Sequence, residues 1–322
     1  VIGGVPDIDD HRSFAGYVSY VSLILILLYN GALSPEIFWN FQEGHGNTIY
    51  DRSRSCVNED MIKGAGCVWT GGVFDGRALM FNSNQPSSYA HATVSRSYYP
   101  PEKWTISMWI WPTSSHSMTF FSHHGNSLGG NPSDNNLELG LDSNLRVTFK
   151  LVINKNGSAN TTTGNTSGTL TTSGWQHLDF VFDVNTLKIY INYQLDSTFS
   201  MGGPLYRFYD PLQCPFEIVS LGWKEFNAPI AGIPNFDGRI DDLWIRPYAM
   251  NVEKRTVAYY KFDGDANDDW ILSNNNLANQ GVTFVDDPAK YFDKSASFDG
   301  ASYLYLTNPP TALRPSDAIT LQ

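Results

Sequence analysis

Two adjacent acids, Asp241 and Asp242, are the first residues in this sequence whose types suggest chemistry. Their surroundings alternate as a β-strand does, and neighbouring residues of a strand point to opposite faces, so the pair cannot act as the acid and nucleophile of one catalytic site. Together with Asn82, or with Asp299, their oxygens suit calcium, which prefers carboxylate and amide oxygen ligands. The alternative is structural, because aspartates at strand ends accept backbone hydrogen bonds.

Three N-glycosylation sequons fall within one Gly/Ser/Thr-rich stretch, which we predict to be a polar loop. They begin at Asn156, Asn160 and Asn165. Such sequons are acceptors in secreted proteins, so the cluster predicts a glycoprotein that is extracellular or at the cell surface. The alternative is a threonine-rich loop that is never modified.

The three cysteines are consistent with that compartment. Cys56 and Cys67 lie close together in a polar, glycine-containing loop, and this spacing suits a local disulfide in an extracellular protein. Cys214 has no evident partner. A zinc site would need more ligands and a C-x-x-C-like pair, and both are missing. His123 and His124 are interpreted as a loop pair, since neighbouring histidines in a turn rarely bind one metal together.

Two groups of tyrosines are candidates for contacts with a partner. Tyr98 and Tyr99 form one group, and Tyr206 and Tyr209 form the other. Aromatic rings can stack on the C–H faces of sugars, and they can equally pack against a neighbouring module. The sequence does not favour either reading.

Composition and charge exclude some classes of partner. The chain of 322 residues has a formal net charge of −11, which disfavours nucleic acid and anionic membranes as ligands. With 42% hydrophobic and 16% charged residues, it can form a large core. The most apolar run, residues 21–29, is shorter than the roughly 20 residues of a membrane span. We therefore predict a buried strand there.

Alternation of apolar and polar residues predicts the elements that would position these side chains. Residues 104–112 alternate along their length, yet tryptophans also occupy the second face, which predicts a strand covered on both sides inside a two-sheet sandwich. Residues 137–153 and 174–192 read as hairpins around short turn sequences. No segment sustains a 3.6-residue apolar period. The predicted fold class is therefore all-β, with antiparallel sheets.

Short motifs recur along the chain at a spacing of about 217 residues. Arg77-Ala-Leu-Met-Phe-Asn resembles Lys294-Ser-Ala-Ser-Phe-Asp, and Tyr29-Asn-Gly-Ala resembles Arg246-Pro-Tyr-Ala. Partial modules would leave unpaired strand edges, so we expect neighbouring modules or copies of the chain as partners, through strand complementation into a fibre. The predicted domains are the C-terminal strands of one module (1–36), a complete module (37–253) and the N-terminal part of a third (254–322).

Four further motifs follow one another along the chain: Gly-Arg-Ala-Leu-x-Phe (76–81), Trp-Thr-Ile-Ser-Met-Trp-Ile-x-Pro (104–112), Gly-Trp-Gln-His (174–177) and Asp-Gly-Arg-Ile-Asp-Asp-Leu (237–243). In this order they resemble the laminin-G-like jelly rolls of the concanavalin A-like lectin/glucanase superfamily. The resemblance implies a jelly-roll sandwich of two antiparallel sheets, here as one complete module flanked by two partial ones in tandem. It also implies binding of glycans or proteins at a rim or on a concave face, with calcium at the rim in some members.

Some members of that superfamily are glucanases. The resemblance implies that a retaining glucanase would carry paired carboxylates near an E-x-D-x-x-E pattern, about 5 Å apart. The closest approach to it, Glu138-Leu-Gly-Leu-Asp142, has the wrong spacing and no third acid. We therefore expect no enzyme activity.

The leading hypothesis is a non-catalytic extracellular structural or adhesive protein of tandem laminin-G-like modules, either a repeat unit of a longer protein or a filament subunit. The alternative is a carbohydrate-binding lectin module, with calcium as its candidate cofactor. A hydrolase ranks last, because the sequence nominates no pair of carboxylates for it.

Overall fold

The computed structural model describes most of the chain. The described residues are 15–18, 21–24, 36–53, 59–73, 76–85, 87–95, 98, 100–124, 135–207, 216–222, 236–252, 258–260, 262, 264–268, 275–286, 294–307 and 320–321.

The chain divides into two compact units. The central unit is Gly31–Val252, and the flanking unit combines Val1–Asn30 with Glu253–Gln322. The predicted complete module, residues 37–253, lies close to the bounds of the central unit. The assignment of the two flanks to two different modules of a tandem array stays a prediction; in the structure both flanks contribute to one unit.

Every strand pair in the described ranges is antiparallel, and these ranges contain no α-helix, which confirms the predicted all-β class. Within them, accordingly, no helix has the length and apolarity that crossing a bilayer requires. In chain order the strands are β1 (Ala15–Val18), β2 (Val21–Ile24), β3 (Ile37–Trp39), β4 (Thr48–Ile49), β5 (Met61–Lys63), β6 (Val68–Gly71), β7 (Arg77–Phe81), β8 (Ala90–Ser95), β9 (Lys103–Pro112), β10 (Met118–His124), β11 (Asn135–Leu141), β12 (Arg146–Lys155), β13 (Ser158–Thr169), β14 (Gln176–Asp183), β15 (Thr186–Ile191), β16 (Gln194–Ser200), β17 (Phe216–Leu221), β18 (Gly238–Arg246), β19 (Ala258–Tyr260), β20 (Ala278–Gln280), β21 (Thr283–Asp286), β22 (Lys294–Asp299), β23 (Tyr303–Tyr305) and β24 (Thr320–Leu321).

The central unit is a sandwich of two sheets. Sheet A has the strand order β13-β12-β11-β10-β17-β8-β5-β4, and sheet B has the order β16-β15-β14-β9-β18-β7-β6, with β3 also paired to β18. The inner faces of both sheets share one hydrophobic core, in which Phe120 of sheet A lies 6.3 Å from Phe180 of sheet B between ring centroids. At one edge the two sheets are joined, because the Asp196 carboxylate on β16 accepts hydrogen bonds from backbone N–H groups of Ser167 and Gly168 on β13.

Strand β9 occupies the middle of sheet B, as its sequence predicts. Its residues from Trp104 to Ile110 are all buried, on both faces of the sheet. On the inner face Trp104 stacks on Phe182 with 5.1 Å between ring centroids. On the outer face Trp109 is covered and only 2% exposed. Burial of each such large side chain contributes roughly 2–3 kcal/mol, so this strand anchors both layers of packing.

Two local predictions are wrong. The stretch carrying the sequons is not a loop: residues 158–169 form β13, which pairs with β12 from Lys155–Ser158 to Arg146–Thr169. His123 is not in a loop either, because it lies within β10 and is fully buried. In both cases pairing with an apolar neighbouring strand overrides the polar local sequence, which on its own reads as loop.

The flanking unit has its own small core. Strand β22 lies between β1 and β21, β2 lies between β19 and β24, and β20 pairs with β23. Aromatic residues dominate its buried cluster, where Tyr260 stacks on Phe262 with ring centroids 6.0 Å apart, and Phe298 and Leu304 are almost fully buried. The N-terminal strands therefore pair with strands from the C-terminal end of the chain.

Candidate functional site

The predicted acid pair lies at an irregularity of β18, where the register with β9 shifts between Asp241 and Trp244. Asp241 is fully buried, and its carboxylate accepts hydrogen bonds from the backbone N–H groups of Val73 and Asp242, both at 2.9 Å. Burial, and then the neighbouring Asp242 carboxylate, raise the pKa of Asp241 well above its ordinary value. Burial also raises the pKa of Asp242 to about 7. These contacts agree with the structural reading of the pair.

The other two predicted calcium ligands are engaged locally. Asn82 accepts a hydrogen bond from the Asn84 N–H at 2.9 Å. Asp299, in the flanking unit, accepts from Ala301 N and Ser302 N at 2.9 and 2.8 Å, and these hydrogen bonds lower the pKa of its carboxyl. Across the described residues no group of three His, Cys, Asp or Glu is placed to hold a metal. Calcium binding by Asp241, Asp242, Asn82 and Asp299 stays a prediction.

The tyrosines predicted to stack on a sugar divide into buried and half-buried cases. Tyr98 is only 1% exposed and belongs to the core of the central unit, so its prediction as a contact residue is wrong. Tyr206 is half-buried, and its N–H donates to the Val152 carbonyl at 2.7 Å. Tyr99 and Tyr209 lie outside the described residues.

The three sequon asparagines differ in exposure. Asn156 is exposed in the turn between β12 and β13, with a φ of 54°. Asn160 and Asn165 are half-buried within β13, opposite Ile153 and Thr148. Of the three, Asn156 is therefore the acceptor whose side chain is most accessible.

The predicted disulfide stays a prediction, because Cys56 lies outside the described residues, as does Cys214. Cys67 carries a free, buried thiol whose Sγ lies 3.3 Å from the Tyr89 carbonyl oxygen. Burial raises the pKa of this thiol to about 12, so in this state it is a poor nucleophile.

A second buried polar group lies on the outer face of sheet B. His177 Nδ1 is 3.2 Å from Asp179 Oδ2, and Ser107 lies opposite Asp179 on the neighbouring strand. All three residues are buried, and the segment 248–252 runs over the same face, where Thr105 Oγ1 donates to the Tyr248 carbonyl. A serine, a histidine and an aspartate come together here, but the segment 248–252 covers them and prevents a substrate from reaching them.

One concavity among the described residues of the central unit is a polar groove on the outer face of β10–β13, with a volume of about 340 Å³. Its floor is Gly140, where an added Cβ would lie 2.3 Å from the Met118 carbonyl oxygen. The register aligns the outward side chains across the strands, with Glu138 opposite Lys150 and Lys150 opposite Thr163. The polar residues that line the groove are Thr119, Glu138, Asp142, Arg146, Thr148, Lys150, Thr163 and Asn165.

Two ion pairs organise the groove. Lys150 Nζ lies 2.9 Å from Glu138 Oε1, with 30% and 11% of the side chains exposed. Arg146 holds Asp142 through Nη2 at 2.7 Å and Nε at 2.8 Å. With its amide oxygen turned toward Arg146, Asn165 accepts from the same guanidinium at 2.8 and 3.1 Å. The charges of the groove therefore balance.

Asp142 stays ionised within this arrangement. Partial desolvation acts to raise its pKa, but hydrogen bonds from the backbone and guanidinium of Arg146 and from the Asn144 N–H outweigh it and lower the pKa below its ordinary value. The carboxylate is thus a fixed acceptor that orients Arg146 toward the groove.

The sequence does not nominate the groove residues as a ligand-binding set. Asn165 appears there only as a sequon, and Glu138 and Asp142 only as carboxylates whose spacing does not suit a glucanase. The sequence does contain a pattern that could have predicted the groove. Residues 138 and 140 of β11, with Asp142 directly after that strand, share the polar face of the predicted hairpin with residues 146, 148 and 150 of β12, which places acids opposite bases.

A laminin-G family model, described as the concanavalin A-like lectin/glucanases superfamily, matches residues 86–254, more than half of the chain. The chain belongs to this superfamily. Strands β10–β13, which form the groove, lie inside the matched range. The predicted jelly-roll fold is thereby confirmed, while the tandem repetition stays a prediction. A comparison with curated proteins found no match.

Solved structures with similar folds share little sequence with this chain. The binding domain of Paraclostridial Mosquitocidal Protein 1 has a TM-score of 0.48 and 14% identity, over 88% of this chain and 66% of that one. Botulinum neurotoxin type C, whose cell entry depends on interaction with two ganglioside molecules, has a TM-score of 0.45 and 18% identity, over 68% and 49%. Trypanosoma rangeli sialidase in complex with the inhibitor DANA has a TM-score of 0.47 and 13% identity, over 68% and 31%. The chain thus spans from about a third to two thirds of their lengths.

Proposed function

We propose that this protein is a non-catalytic carbohydrate-binding protein that holds a glycan in the polar groove of β10–β13. The observation that carries the proposal is the groove itself, an open concavity lined by hydrogen-bonding side chains on the outer face of a lectin-superfamily sandwich. A sugar hydroxyl is both donor and acceptor, and the groove offers carboxylates, a guanidinium, an ammonium, an amide and threonine hydroxyls to match it.

The charges of the groove favour a neutral saccharide. Glu138 and Asp142 are each paired with a base, so neither an anionic nor a cationic ligand gains a free counter-charge. Charged side chains that are already fixed by an ion pair are pre-organised donors and acceptors, which lowers the entropy lost on binding. A groove of about 340 Å³ lies near the lower limit for ligand pockets and suits one or two sugar rings.

Spacing supports the absence of catalysis. Glu138 lies on β11 and Asp142 directly follows that strand, so four residues of extended chain separate their Cα atoms by roughly 13 Å at about 3.3 Å per residue. Inverting glycosidases hold their two carboxyl groups about 6.5–9.5 Å apart, and retaining ones hold them closer. The acids of the groove are therefore suited to binding sugar hydroxyls and not to cleaving a glycosidic bond.

An extracellular or cell-surface location is part of the proposal. It is supported by the three sequons, of which Asn156 stands exposed in a turn, and by the chain's superfamily. A glycan on Asn156 would leave the groove open, since Asn156 is not among the residues that line it.

An adhesive or structural role is the second candidate. The observation that favours it is the flanking unit, whose strands come from both ends of the chain and enclose a second, smaller core. A protein of this kind would act through contacts between modules, and a glycan-binding groove is compatible with that role.

A glycan array with the full chain tests the proposal. We expect binding to neutral glycans that is unchanged by a chelator and weakened about tenfold by Arg146→Ala or Lys150→Ala, since each removes a charged hydrogen-bond donor. Lys188→Ala, on an exposed position of β15, is the matched control and should bind as wild type does. Binding that survives both groove variants, or no binding to any glycan, would overturn the proposal.

A further inference from the structure

The flanking unit repeats the strand pairing of the central unit around β2. In the central unit, β18 lies between β3 and β9, and Ile245 is opposite Ile37 on one side and Ile106 on the other. In the flanking unit, β2 lies between β19 and β24, and Leu23 is opposite Ala258 on one side and Leu321 on the other. The order β19-β2-β24 thus corresponds to β3-β18-β9.

Strand β1 extends the same correspondence. Gly238 of β18 is opposite Phe81 of β7, and Gly16 of β1 is opposite Phe298 of β22. Gly16 precedes Leu23 by the same number of residues as Gly238 precedes Ile245. Together β1 and β2 therefore occupy the place of the whole of β18, in the same register.

The remaining strands of the flanking unit also match. Strand β21 pairs with β22 as β6 pairs with β7, and β20 pairs with β23 as β5 pairs with β8. The acceptor strands all come from residues 258–321, whereas the strand in the β18 place comes from residues 15–24. The flanking unit is a module whose β18 equivalent is supplied from the opposite end of the chain.

We propose that β1 and β2 together are a donor segment, and that the site formed by β19, β22 and β24 accepts this segment from a second copy of the chain. An added strand is held through main-chain hydrogen bonds along its edges, and these are the same whichever chain offers it. Along the chain, the central unit lies between the donor and the acceptor strands. When two copies exchange their donors, every pair of strands therefore stays the same. This proposal is independent of glycan binding.

The protein concentration determines whether the donor comes from the same chain or from another copy. Within one chain the donor is present at a high effective concentration, which favours self-pairing in dilute solution. At high protein concentration, or when unfolded chains refold together, donors from other copies compete. Residues 21–29 are almost wholly apolar, so an unpaired donor would expose apolar side chains and unpaired backbone groups to water. Pairing with an acceptor is therefore strongly favoured.

Cysteine cross-linking in the full chain tests the proposal. Tyr17 lies opposite Ser297. Chains carrying only Tyr17→Cys and chains carrying only Ser297→Cys are unfolded, mixed, refolded together and oxidised. We expect a disulfide-linked band of twice the 36.0 kDa chain mass in the mixture, with the 17–297 link identified by mass spectrometry. Tyr17→Cys mixed with Ala301→Cys, which is out of register, is the control and should give no 17–301 link.

Each outcome is decisive. If the Tyr17→Cys/Ser297→Cys double variant forms the bond within one chain but the mixture never forms it between chains, exchange is overturned. If the double variant fails as well, and the second opposed pair Leu23→Cys/Leu321→Cys gives the same result, the donor-strand assignment itself is wrong.

Discussion

The Asp241 carboxylate accepts a hydrogen bond at 2.9 Å from the backbone N–H of Val73, although the two residues are 168 positions apart in the chain. The contact ties β18, in the middle of sheet B, to the turn between β6 and β7. Gly72 permits this approach, because a Cβ there would lie 2.4 Å from Asp241 Oδ2 and 2.4 Å from the Arg77 carbonyl oxygen.

Removing the acid should destabilise the central unit. Asp241→Ala leaves the buried N–H groups of Val73 and Asp242 without their acceptor, which we expect to lower the free energy of unfolding by about 2–3 kcal/mol. Asp183→Ala is the control, since that side chain is half exposed and makes only a surface ion pair with Lys103. Denaturant melts compare the two. Equal stabilities, or a wild-type stability that rises with added calcium, would contradict the structural role.

The adjacent glycines provide a second test of the same contact. Gly72→Ala should lower the free energy of unfolding by at least about 2 kcal/mol, because the new methyl group meets backbone and a buried carboxylate. Gly71→Ala has no atom within 4 Å of the added Cβ and should be nearly neutral. Thermal melts of the two variants should therefore differ by several degrees, and similar melts would refute the packing around Asp241.

The pH dependence of stability should carry the signature of Asp242. Because burial raises its pKa from 3.8 to about 7, the folded protein binds this proton more tightly than the unfolded chain does. The resulting stability is fully present below about pH 4 and is lost as the pH rises to about 7. Asp242→Asn, which also tolerates the local φ of 47°, should remove the part of this decline that comes from Asp242, whereas buried Asp241, whose pKa is also raised, retains its own part. Melting temperatures of the wild type and of Asp242→Asn at pH 5 and pH 8 test this. The variant should gain more in melting temperature over the wild type at pH 8 than at pH 5, and an equal gain at both pH values would contradict the prediction.

Glycosylation should be concentrated on one sequon. When the protein is secreted from a eukaryotic host, we expect high occupancy at Asn156, which is exposed in a turn, and lower occupancy at Asn160 and Asn165, which are half-buried within β13. Peptide mapping by mass spectrometry gives the three occupancies. Asn156→Gln should remove most of the attached glycan, and a variant that retains it on the other two sites would refute this ordering.

Local sequence predicts the strands well where apolar residues alternate or fill a strand. Residues 104–112 and the hairpin strands β11–β12 and β14–β15 carry that pattern, and the structure confirms them. The prediction failed at residues 158–169, where Gly, Ser and Thr predominate, because an edge strand needs little apolar surface of its own when its partner strand supplies it.

The groove shows what local patterns cannot reveal. Its residues come from four strands, and they meet only because the register places Glu138 opposite Lys150 and Thr148 opposite Gly140. Tyr98, predicted to contact a ligand, instead enters the core, because an aromatic ring serves equally well in either place and only packing decides.

The sequence by itself predicted the antiparallel all-β class, because strand periodicity and turn residues are local properties, and the order of its motifs indicated the superfamily by resemblance. Tertiary structure decided which polar side chains share a surface, which acids are buried, and that β1 and β2 pair with strands from the other end of the chain. These depend on strand register and on contacts between residues far apart in sequence, which no short window contains.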